Sequence, residues 1–267
     1  MARGEPIRSP PPSIGPSGEP SRADLLVRTF NSAATLERCL QSARATIPIH
    51  RLIVVDRCST DATEAIARRF GAVVRSEDVG IGRATRLALM EATTDLVVFL
   101  DSDVEIVRSD FYAQAVARLA RPGVGAVVGG SVGHRFVYGL PLGLTVVPRA
   151  WALGVPIPDD AQGAETYFLR RALRRARLRV AYVPDAMVHF GTYRGRHWPE
   201  WQGAQLRLAA GWSASELANA FFVTVMIGLN RGTVAGAAYV PIFYLKLLRG
   251  FLAPSRWRWR DRRLHPD

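Results

Sequence analysis

VVFLDSDVEI, residues 97–106, ends an apolar run with two aspartates, Asp101 and Asp103, that have one residue between them. The apolar run predicts a buried strand. Aspartate is common in the turns that end strands, so one interpretation of the pair is structural. The other is a site for a divalent cation that serves a phosphate-bearing substrate, because such cations prefer carboxylate oxygens. The stretch alone leaves both interpretations open.

Strands and helices alternate along the chain around this stretch. We predict strands at residues 23–30, 51–56, 72–76, 95–100, 125–131 and 180–184, and helices at 33–45, 64–70, 83–92, 111–120 and from 164. Apolar strands that alternate with helices predict βαβ units and an α/β fold with a buried, mostly parallel sheet. Ligands of such sheets bind beyond the carboxyl ends of the strands, where DRCSTD (56–61) and DSD (101–103) fall. Residues 132–163 are rich in glycine and proline and receive no assignment.

The N-terminal residues 1–22 are rich in Pro, Ser and Gly and contain no apolar run. They cannot bury enough surface to offset the entropy of ordering, which predicts a disordered tail. The charged start leads into prolines rather than an apolar segment, so no signal peptide is expected. Two cysteines, Cys39 and Cys58, are too few for a disulfide framework and favour a cytoplasmic location.

The formal net charge is +12, from 35 basic and 23 acidic residues, and Lys246 is the only lysine. Excess arginine indicates anionic partners such as phosphates, nucleic acid or a lipid surface. The alternative is arginine-rich codon usage with ordinary surface placement. No recognised nucleic-acid-binding fold accompanies the charge, so we do not expect nucleic acid as a partner.

Two uncharged apolar segments, 217–230 and 232–245, follow a change in composition near residue 212. Each is shorter than the roughly 20 residues that a spanning helix needs. After them, KLLRGFLAPSRWRWRDRR (246–263) alternates tryptophan with arginine, a pattern typical of a membrane interface. Three alternatives stay open: an apolar helical pair packed on the sheet or on a partner subunit, interfacial or re-entrant attachment to the cytoplasmic face of a membrane, and a transmembrane span.

Three segments together carry a resemblance to a known family: RTFNSAATLERCL (28–40), LIVVDRCSTDAT (52–63) and GIGRATRLALMEATTDLVVFLDSD (80–103). In this order and spacing they resemble the family 2 glycosyltransferases, which have the GT-A fold. The resemblance implies an enzyme that uses a UDP- or GDP-sugar as donor and Mg²⁺ or Mn²⁺ as cofactor. The chain then divides into the tail (1–22), a GT-A domain (23–211) and an apolar helical region with a basic Trp/Arg tail (212–267).

The resemblance implies donor-side roles for five residues. Thr29 and Asn31 would border the nucleotide, and Asp56 would bind its base. Asp101 and Asp103 would hold the metal and the donor. A metal here neutralises the charge that develops on the diphosphate as the glycosidic bond breaks.

Two arginines and two capping residues are less specific. The resemblance implies that Arg83 and Arg86 approach the donor phosphates, but solvent exposure explains them equally well. The family commonly has Asn near the position of Arg86. Ser59 and Asp61 are expected to cap the next helix, because their short polar side chains suit that role.

The acceptor side depends on GAETYFLRRAL (163–173), which resembles the acidic motif of many family members. Glu165 stands at the position of the general base and Arg171 at that of the trailing arginine, whereas Ala164 replaces the first acid. Glu165 could instead be a carboxylate that the helix dipole favours. Asp159 and Asp160 are a lesser pair of candidates.

The segment VAYVPDAMVHF (180–190) resembles the following strand of the family, which often ends in a histidine, here His189. His189 would complete the metal site or touch the diphosphate, or it is structural. Further residues could line the donor or the acceptor: Arg149, Tyr193, Arg194, Arg196, His197 and Trp198.

The acceptor itself stays open between two classes. Residues 80–103 also resemble the corresponding segment of polyprenyl-phosphate sugar synthases, whose acceptor is an ionised phosphate that needs no base. Glu165 favours a hydroxyl acceptor, such as a glycan or a sugar on a lipid carrier. The resemblance to the family implies a single displacement with inversion. A non-catalytic nucleotide-binding subunit is a further alternative.

Overall fold

The computed structural model of the protein describes residues 21–136, 139–190 and 197–257. Its strands are β1 (Ala23–Thr29), β2 (Ile49–Asp56), β3 (Val73–Ser76), β4 (Leu96–Asp101), β5 (Val104–Ile106), β6 (Val124–Ser131), β7 (Leu144–Pro148) and β8 (Arg179–His189). Its helices are α1 (Ala33–Thr46), α2 (Thr63–Arg69), α3 (Ile81–Glu91), α4 (Phe111–Leu119), α5 (Arg149–Leu153), α6 (Glu165–Arg175), α7 (Trp198–Ala210), α8 (Ala214–Asn230) and α9 (Thr233–Leu252). A 3-10 turn, Pro254–Trp257, follows α9.

All eight strands belong to one sheet with the order β3-β2-β1-β4-β7-β6-β8-β5. The strands β3, β2, β1 and β4 run parallel, which is the arrangement that the predicted βαβ units require. Beyond them β7 is antiparallel to β4 and β6, β8 is parallel to β6, and β5 is antiparallel to β8. The predicted α/β architecture with a mostly parallel sheet is confirmed.

Helices cover both faces of this sheet. Leu25 and Val27 of β1 join a core that contains residues of α1, α2 and α4, whereas Leu26 joins a core with residues of α3, α5 and α6. Alternate residues of a strand point to opposite faces, so both faces of β1 are buried. This explains why residues 25–27 of β1 and 52–55 of β2 are continuously apolar rather than alternating with polar residues.

Four elements have no counterpart in the predicted ones, namely β5, β7, α5 and α7. Three of them, β5, β7 and α5, have only three to five residues each, too few to show a period. The face that α7 buries includes Glu200, Gln205 and Gly203, so its apolar period is weak. The helix α9 extends to Leu252, past the predicted end of the apolar segment at residue 245.

The backbones of α7 and α9 are in direct contact. A Cβ atom on Gly203 of α7 would lie 1.9 Å from the Leu247 carbonyl oxygen. A Cβ atom on Gly250 of α9 would lie 1.7 Å from the Glu200 carbonyl oxygen. Only glycine permits this approach, and the apolar region is thereby attached to the rest of the molecule through α7.

The two apolar segments form the paired helices α8 and α9, and one face of the pair is uncovered. Within the described chain, Val234–Leu252 alone is long and apolar enough to cross a membrane, and 28% of its apolar window is buried. The helix α8 is apolar but shorter. The large apolar side chains exposed on the pair are Phe221, Phe222, Leu229, Val234, Ile242, Leu245 and Leu252.

Both cysteines are free, as the sequence predicts: Cys39 is buried and Cys58 is exposed. The predicted tail 1–22 lies outside the described residues except for its last two positions. Ser21 accepts a 2.6 Å hydrogen bond from the Tyr112 hydroxyl through its carbonyl oxygen. Trp259 and the arginines of residues 258–263 also lie outside the described chain.

Candidate active site

The carboxyl ends of three parallel strands place the predicted donor-side residues at one edge of the sheet. Thr29, at the end of β1, lies opposite Asp56 at the end of β2. On the other side of β1, Arg28 lies opposite Asp101 at the end of β4. Parallel pairing in register thus brings these residues, which are far apart in sequence, into one line.

The turn after β4 brings Asp103 next to His189. The Ser102 hydroxyl lies 2.9 Å from the Ser32 hydroxyl, which ties the turn to the loop after β1. The short strand β5 starts at Val104 and pairs with β8 so that Val104 lies opposite His189. As a result His189 Nδ1 lies 3.6 Å from Asp103 Oδ1.

Space for a ligand exists between Asp101 and His189 because residue 143 is a glycine. A Cβ atom on Gly143 would lie 3.4 Å from Asp101 Oδ2 and 3.4 Å from His189 Nε2. Two ligand atoms on one Mg²⁺ or Mn²⁺ ion lie roughly 3 to 4 Å apart, because each bond is about 2.1 Å long. The 3.6 Å separation between Asp103 Oδ1 and His189 Nδ1 falls in that range, whereas the space beside Gly143 adjoins the other ring nitrogen, Nε2.

These residues fit a metal site that is completed by a ligand rather than a closed protein site. Over residues 21–136, 139–190 and 197–257, no group of three or more His, Cys, Asp and Glu side chains is arranged to hold an ion by itself. Hard divalent cations that bind substrate phosphates commonly take only one or two carboxylates from the protein. Asp101 and Asp103 supply that number, and His189 offers a third donor.

Arg28 is the centre of the site's charge network, and the sequence analysis assigned it no role. Its guanidinium donates to Glu165 Oε1 at 2.9 Å and to Asp101 Oδ1 at 3.4 Å. A third, weaker bond reaches the Thr85 hydroxyl at 3.3 Å. The signal for its importance was an arginine directly after the apolar, buried residues 25–27, since buried charges are almost always paired.

Burial and charge act in opposite directions on this network. Burial alone would lower the pKa of the Arg28 guanidinium, but the carboxylates of Glu165 and Asp101 outweigh it, so that pKa is raised. Burial raises the pKa of Asp101, Arg28 and His189 oppose this, and Asp103 reinforces it. The carboxylates of Glu165 and Asp101 therefore favour positive charge beside them. Arg28 supplies part of that charge.

Glu165 is the first residue of α6 and is 7% exposed. The preceding Ala164 has φ 61°, so the chain turns sharply into the helix at this point. A carboxylate at a helix N-terminus is stabilised by the helix dipole. Glu165 thus begins a helix, and its carboxylate contacts Arg28 of the charge network, whereas its role as general base stays a prediction.

A cavity of about 490 Å³ contains the acidic residues and His189 together. Its lining includes Arg28, Asp101, Asp103, Glu165 and His189. Trp198 and Trp201 of α7 also line it, and their rings stack with centroids 4.8 Å apart. Stacked aromatic rings beside carboxylates suit a ligand with both apolar and hydroxylated faces, and Trp198 was among the lesser sequence candidates.

Asp56 holds the ends of β1 and β2 together. Its Oδ1 accepts bonds of 2.6 Å from the Thr29 hydroxyl and from the Ser59 hydroxyl, and Oδ2 accepts a 2.7 Å bond from the Ser59 amide. The residue is 1% exposed. The structure thus gives Asp56 a structural role, and its contact with a donor base stays a prediction.

The loops after β1 and β2 are joined by a second set of bonds. Asn31, with φ 46°, donates its amide to the Ser59 hydroxyl at 2.8 Å and accepts from the Thr60 amide at 2.9 Å. Ser59 therefore bridges the loops and does not cap a helix. Asp61 does cap, as expected, and it caps two helices: its carboxylate accepts from the Thr63 and Ala33 amides, both at 3.0 Å.

The two candidate arginines at the start of α3 differ in their surroundings. The Arg83 side chain is exposed, and its amide donates to the Asp159 carbonyl oxygen at 3.1 Å. Arg86 forms a two-point ion pair with the Asp159 carboxylate, one bond of which is 2.8 Å long. Asp160 is exposed beside this pair.

Other candidates lie elsewhere or beyond the described residues. Arg149 donates to the Leu89 carbonyl oxygen at 3.0 Å. This bond connects α5 to α3 and gives Arg149 a structural role. Tyr193, Arg194 and Arg196 lie outside the described residues. His197 Nδ1 lies 3.7 Å from Glu200 Oε1 at the start of α7.

Residues 24–140 match the family described as Glycosyl transferase family 2. No curated protein matches the chain in sequence.

Two solved structures are similar to this fold. A mannosyltransferase from Pyrobaculum calidifontis, in complex with GDP-Man and Mn²⁺, has 21% identity and a TM-score of 0.61, over 87% of this chain and 75% of that chain. Glucosyl-3-phosphoglycerate synthase from Mycobacterium tuberculosis, in complex with Mn²⁺, UDP and phosphoglyceric acid, has 23% identity and a TM-score of 0.59, over 73% of this chain and 80% of that chain.

Proposed function

Because this chain carries a glycosyltransferase family 2 domain over residues 24–140, we propose that it transfers a sugar from a UDP- or GDP-sugar to a hydroxyl acceptor. One observation carries the proposal. Asp101, Asp103 and His189, which suit a metal and a diphosphate, line the same cavity as Glu165, which suits a general base. The proposed donor site and the proposed base therefore belong to one cavity.

Asp101, Asp103 and His189 would hold Mg²⁺ or Mn²⁺ together with the donor diphosphate. When bound, such an ion neutralises the charge that develops on the departing diphosphate. The space beside Gly143 supports this assignment, as does the Mn²⁺ in the complexes of both similar structures. The Arg28 guanidinium keeps Asp101 in position from the opposite side.

The nucleotide would lie along the ends of β1 and β2. Asp56 is assigned to the base, and Thr29 and Asn31 to the border of the nucleotide pocket. A carboxylate has about four acceptor positions, and the three bonds that Asp56 accepts leave one for a base N–H group. Arg83 is exposed and free to approach the phosphates, whereas Arg86 would first have to release Asp159.

Glu165 is assigned as the general base of a single displacement with inversion. The acceptor oxygen forms a bond to the anomeric carbon while the bond from that carbon to the diphosphate breaks. The acceptor proton passes to Glu165, and the nucleoside diphosphate leaves with the electron pair. Arg28 binds Oε1 of Glu165, which we infer leaves Oε2 for the proton.

The test uses the purified full chain, Mn²⁺ and a panel of UDP- and GDP-sugars. We expect Mn²⁺-dependent donor binding and slow donor hydrolysis, both lost in Asp101→Asn and unchanged in Asp95→Asn, an exposed aspartate outside the cavity. If wild type binds no donor, or if the two variants behave alike, the proposal fails and a non-catalytic subunit becomes the better interpretation.

A polyprenyl phosphate is the second candidate acceptor. Its ionised oxygen needs no base, and Glu165 already forms an ion pair with Arg28. Residues 80–103 resemble the synthases of this class. Transfer to a polyprenyl phosphate that survives Glu165→Gln would favour this candidate over a hydroxyl acceptor.

We further assign the uncovered face of α8 and α9 to an anionic membrane surface on the cytoplasmic side. Exposed apolar patches of this kind mark membrane or protein contacts. Phe222 on α8 and Ile242 on α9 are 53% and 59% exposed, and the sequence RWRWRDRR (256–263) follows the pair. Aromatic and basic residues beside an apolar face complement anionic headgroups, which favours a lipid surface over a partner subunit.

A further inference from the structure

A second cavity, of about 560 Å³, adjoins the first one on the side of the loop between β6 and β7. The two cavities share part of their walls, namely Thr166, Arg170, His189, Gln202, Val223 and Ile227. His189 therefore stands between the proposed metal position and this second space. A molecule in the second cavity can reach the reaction centre past His189.

The basic side chains that line the second cavity are His134, Arg170, His189 and Arg231, and the lining residues that the structure describes include no Asp or Glu. The charge of Arg170 is partly balanced by its ion pair with Glu216, which belongs to the wall of the first cavity. The pKa of His134 is lowered by burial and by the positive charges of His189 and Arg231.

Hydrogen bonds between α8 and the loop after β6 hold part of the wall of this cavity in place. Asn230, at the end of α8, accepts a 3.1 Å bond from the Phe136 amide and donates a 2.9 Å bond to the Phe136 carbonyl oxygen. The loop after β6 is thus attached to α8. The next residue, Arg231, lies with its guanidinium 4.2 Å from the centroid of the Tyr239 ring, which positions its charge at the cavity.

The remaining lining is largely apolar. Phe136, Leu140, Val223 and Ile227 contribute to it, and Val223 and Ile227 belong to α8, whose opposite side carries the exposed Phe221 and Phe222. A cavity with two arginines, two histidines and an apolar wall suits a ligand with one anionic group and an apolar or weakly polar remainder.

We propose that the second cavity is the acceptor subsite and binds a phosphate-type anionic group of the acceptor through Arg231, His134 and Arg170. The acceptor's reacting oxygen then enters the first cavity past His189. This inference rests on the proposed function and specifies its acceptor: a phosphorylated molecule, whether its phosphate belongs to a lipid carrier or to a soluble metabolite.

The test measures binding by calorimetry to the full chain loaded with Mn²⁺ and UDP. The probes are farnesyl phosphate and glycerol 3-phosphate, with farnesol and glycerol as uncharged counterparts. We expect phosphate-dependent binding that weakens roughly ten- to hundred-fold in Arg231→Gln, because a charge-assisted hydrogen bond is lost. The loss in His134→Gln should be smaller, because the lowered pKa of His134 disfavours its charged form. Arg231→Lys should retain most of the affinity, and Arg121→Gln, an exposed arginine distant in the fold, all of it.

Tighter binding of farnesyl phosphate than of glycerol 3-phosphate assigns the phosphate to a lipid carrier, and comparable binding assigns it to a soluble acceptor. The inference is overturned if neither phosphate binds, if the uncharged counterparts bind equally well, or if Arg231→Gln behaves like Arg121→Gln. UDP binding is measured separately. If wild type does not bind UDP, the proposed function is refuted. If wild type binds UDP but neither phosphate, only the acceptor subsite is refuted.

Discussion

The Arg28 guanidinium lies 2.9 Å from Glu165 Oε1, and these residues are 137 positions apart in the chain. The same guanidinium reaches Asp101 at 3.4 Å. One buried cation thus contacts both the carboxylate assigned to the donor metal and the carboxylate assigned to the acceptor. The two halves of the proposed reaction are thereby held in a defined relative position before any substrate binds.

Replacing Arg28 by Met should destabilise the protein strongly. The buried Glu165 carboxylate and the partly exposed Asp101 carboxylate would lose their partner, and breaking a buried ion pair from one side costs about 3–5 kcal/mol. The measurement is the free energy of unfolding in urea with EDTA present. The matched control is Arg68→Met, which removes only an exposed pair with Glu64 and should change that free energy by less than about 1 kcal/mol. Equal losses for the two variants would contradict the role of Arg28.

Replacing Glu165 by Gln should reduce the rate of transfer to a hydroxyl acceptor by roughly 10²- to 10⁴-fold, because the amide cannot take the proton. Donor affinity should stay near that of wild type, since the charge lost lies on the acceptor side. Steady-state kcat and donor KM separate these effects. Glu64→Gln on the surface is the control. A kcat that survives in Glu165→Gln would remove the base assignment and favour an ionised phosphate as acceptor.

Replacing Gly143 by Ala tests the metal position without touching a ligand. The added Cβ atom would lie 3.4 Å from Asp101 Oδ2 and His189 Nε2, within the space assigned to the ion. We expect Mn²⁺ affinity, measured in the presence of UDP, to fall roughly ten-fold or more, as changes close to metal ligands commonly cause. The unfolding free energy in EDTA should change little. Unaltered Mn²⁺ affinity would place the ion elsewhere.

The residues at the strand ends were predictable from the sequence, whereas the side-chain contacts of the site were not. Asp56 and Asp101 follow apolar runs directly, and a local pattern is enough to place them at the carboxyl edge of a parallel sheet. The approach of Glu165 to Arg28 depends on how α6 packs against the sheet, which no local pattern encodes. Gly143 lies in the glycine-rich region 132–163, where periodicity gave no assignment.

Replacing Asp61 by Ala should show how a single carboxylate caps two helices. Burial raises the pKa of Asp61 slightly, but bonds from Thr63 and Ala33 outweigh it, so the pKa in the folded protein is lowered. A lowered pKa contributes stability above the unfolded-state value of about 3.9, and this stability is lost as the pH falls through the folded-state value. We expect a loss of about 1–2 kcal/mol at neutral pH that shrinks in acid.

Urea unfolding of wild type and Asp61→Ala across a pH series measures this difference. Asp61→Asn, which keeps one acceptor oxygen, should lose less than the alanine variant at neutral pH. A difference between wild type and Asp61→Ala that is independent of pH would mean that the charge of Asp61 does not contribute, and that the side chain acts by packing alone.

The uncovered face of α8 and α9 should bind anionic membranes. We expect the full chain to float with vesicles of phosphatidylcholine and phosphatidylglycerol, less with phosphatidylcholine alone, and less again at high salt, which screens the basic residues. Phe222→Ser with Ile242→Ser should reduce binding at least ten-fold, since each side chain would contribute roughly 2 kcal/mol on burial in lipid. Met90→Ser, an exposed apolar residue on α3, is the control and should bind like wild type. If the chain does not bind vesicles and instead forms a dimer that dissociates in the double variant, the face is a subunit interface and the membrane assignment is wrong.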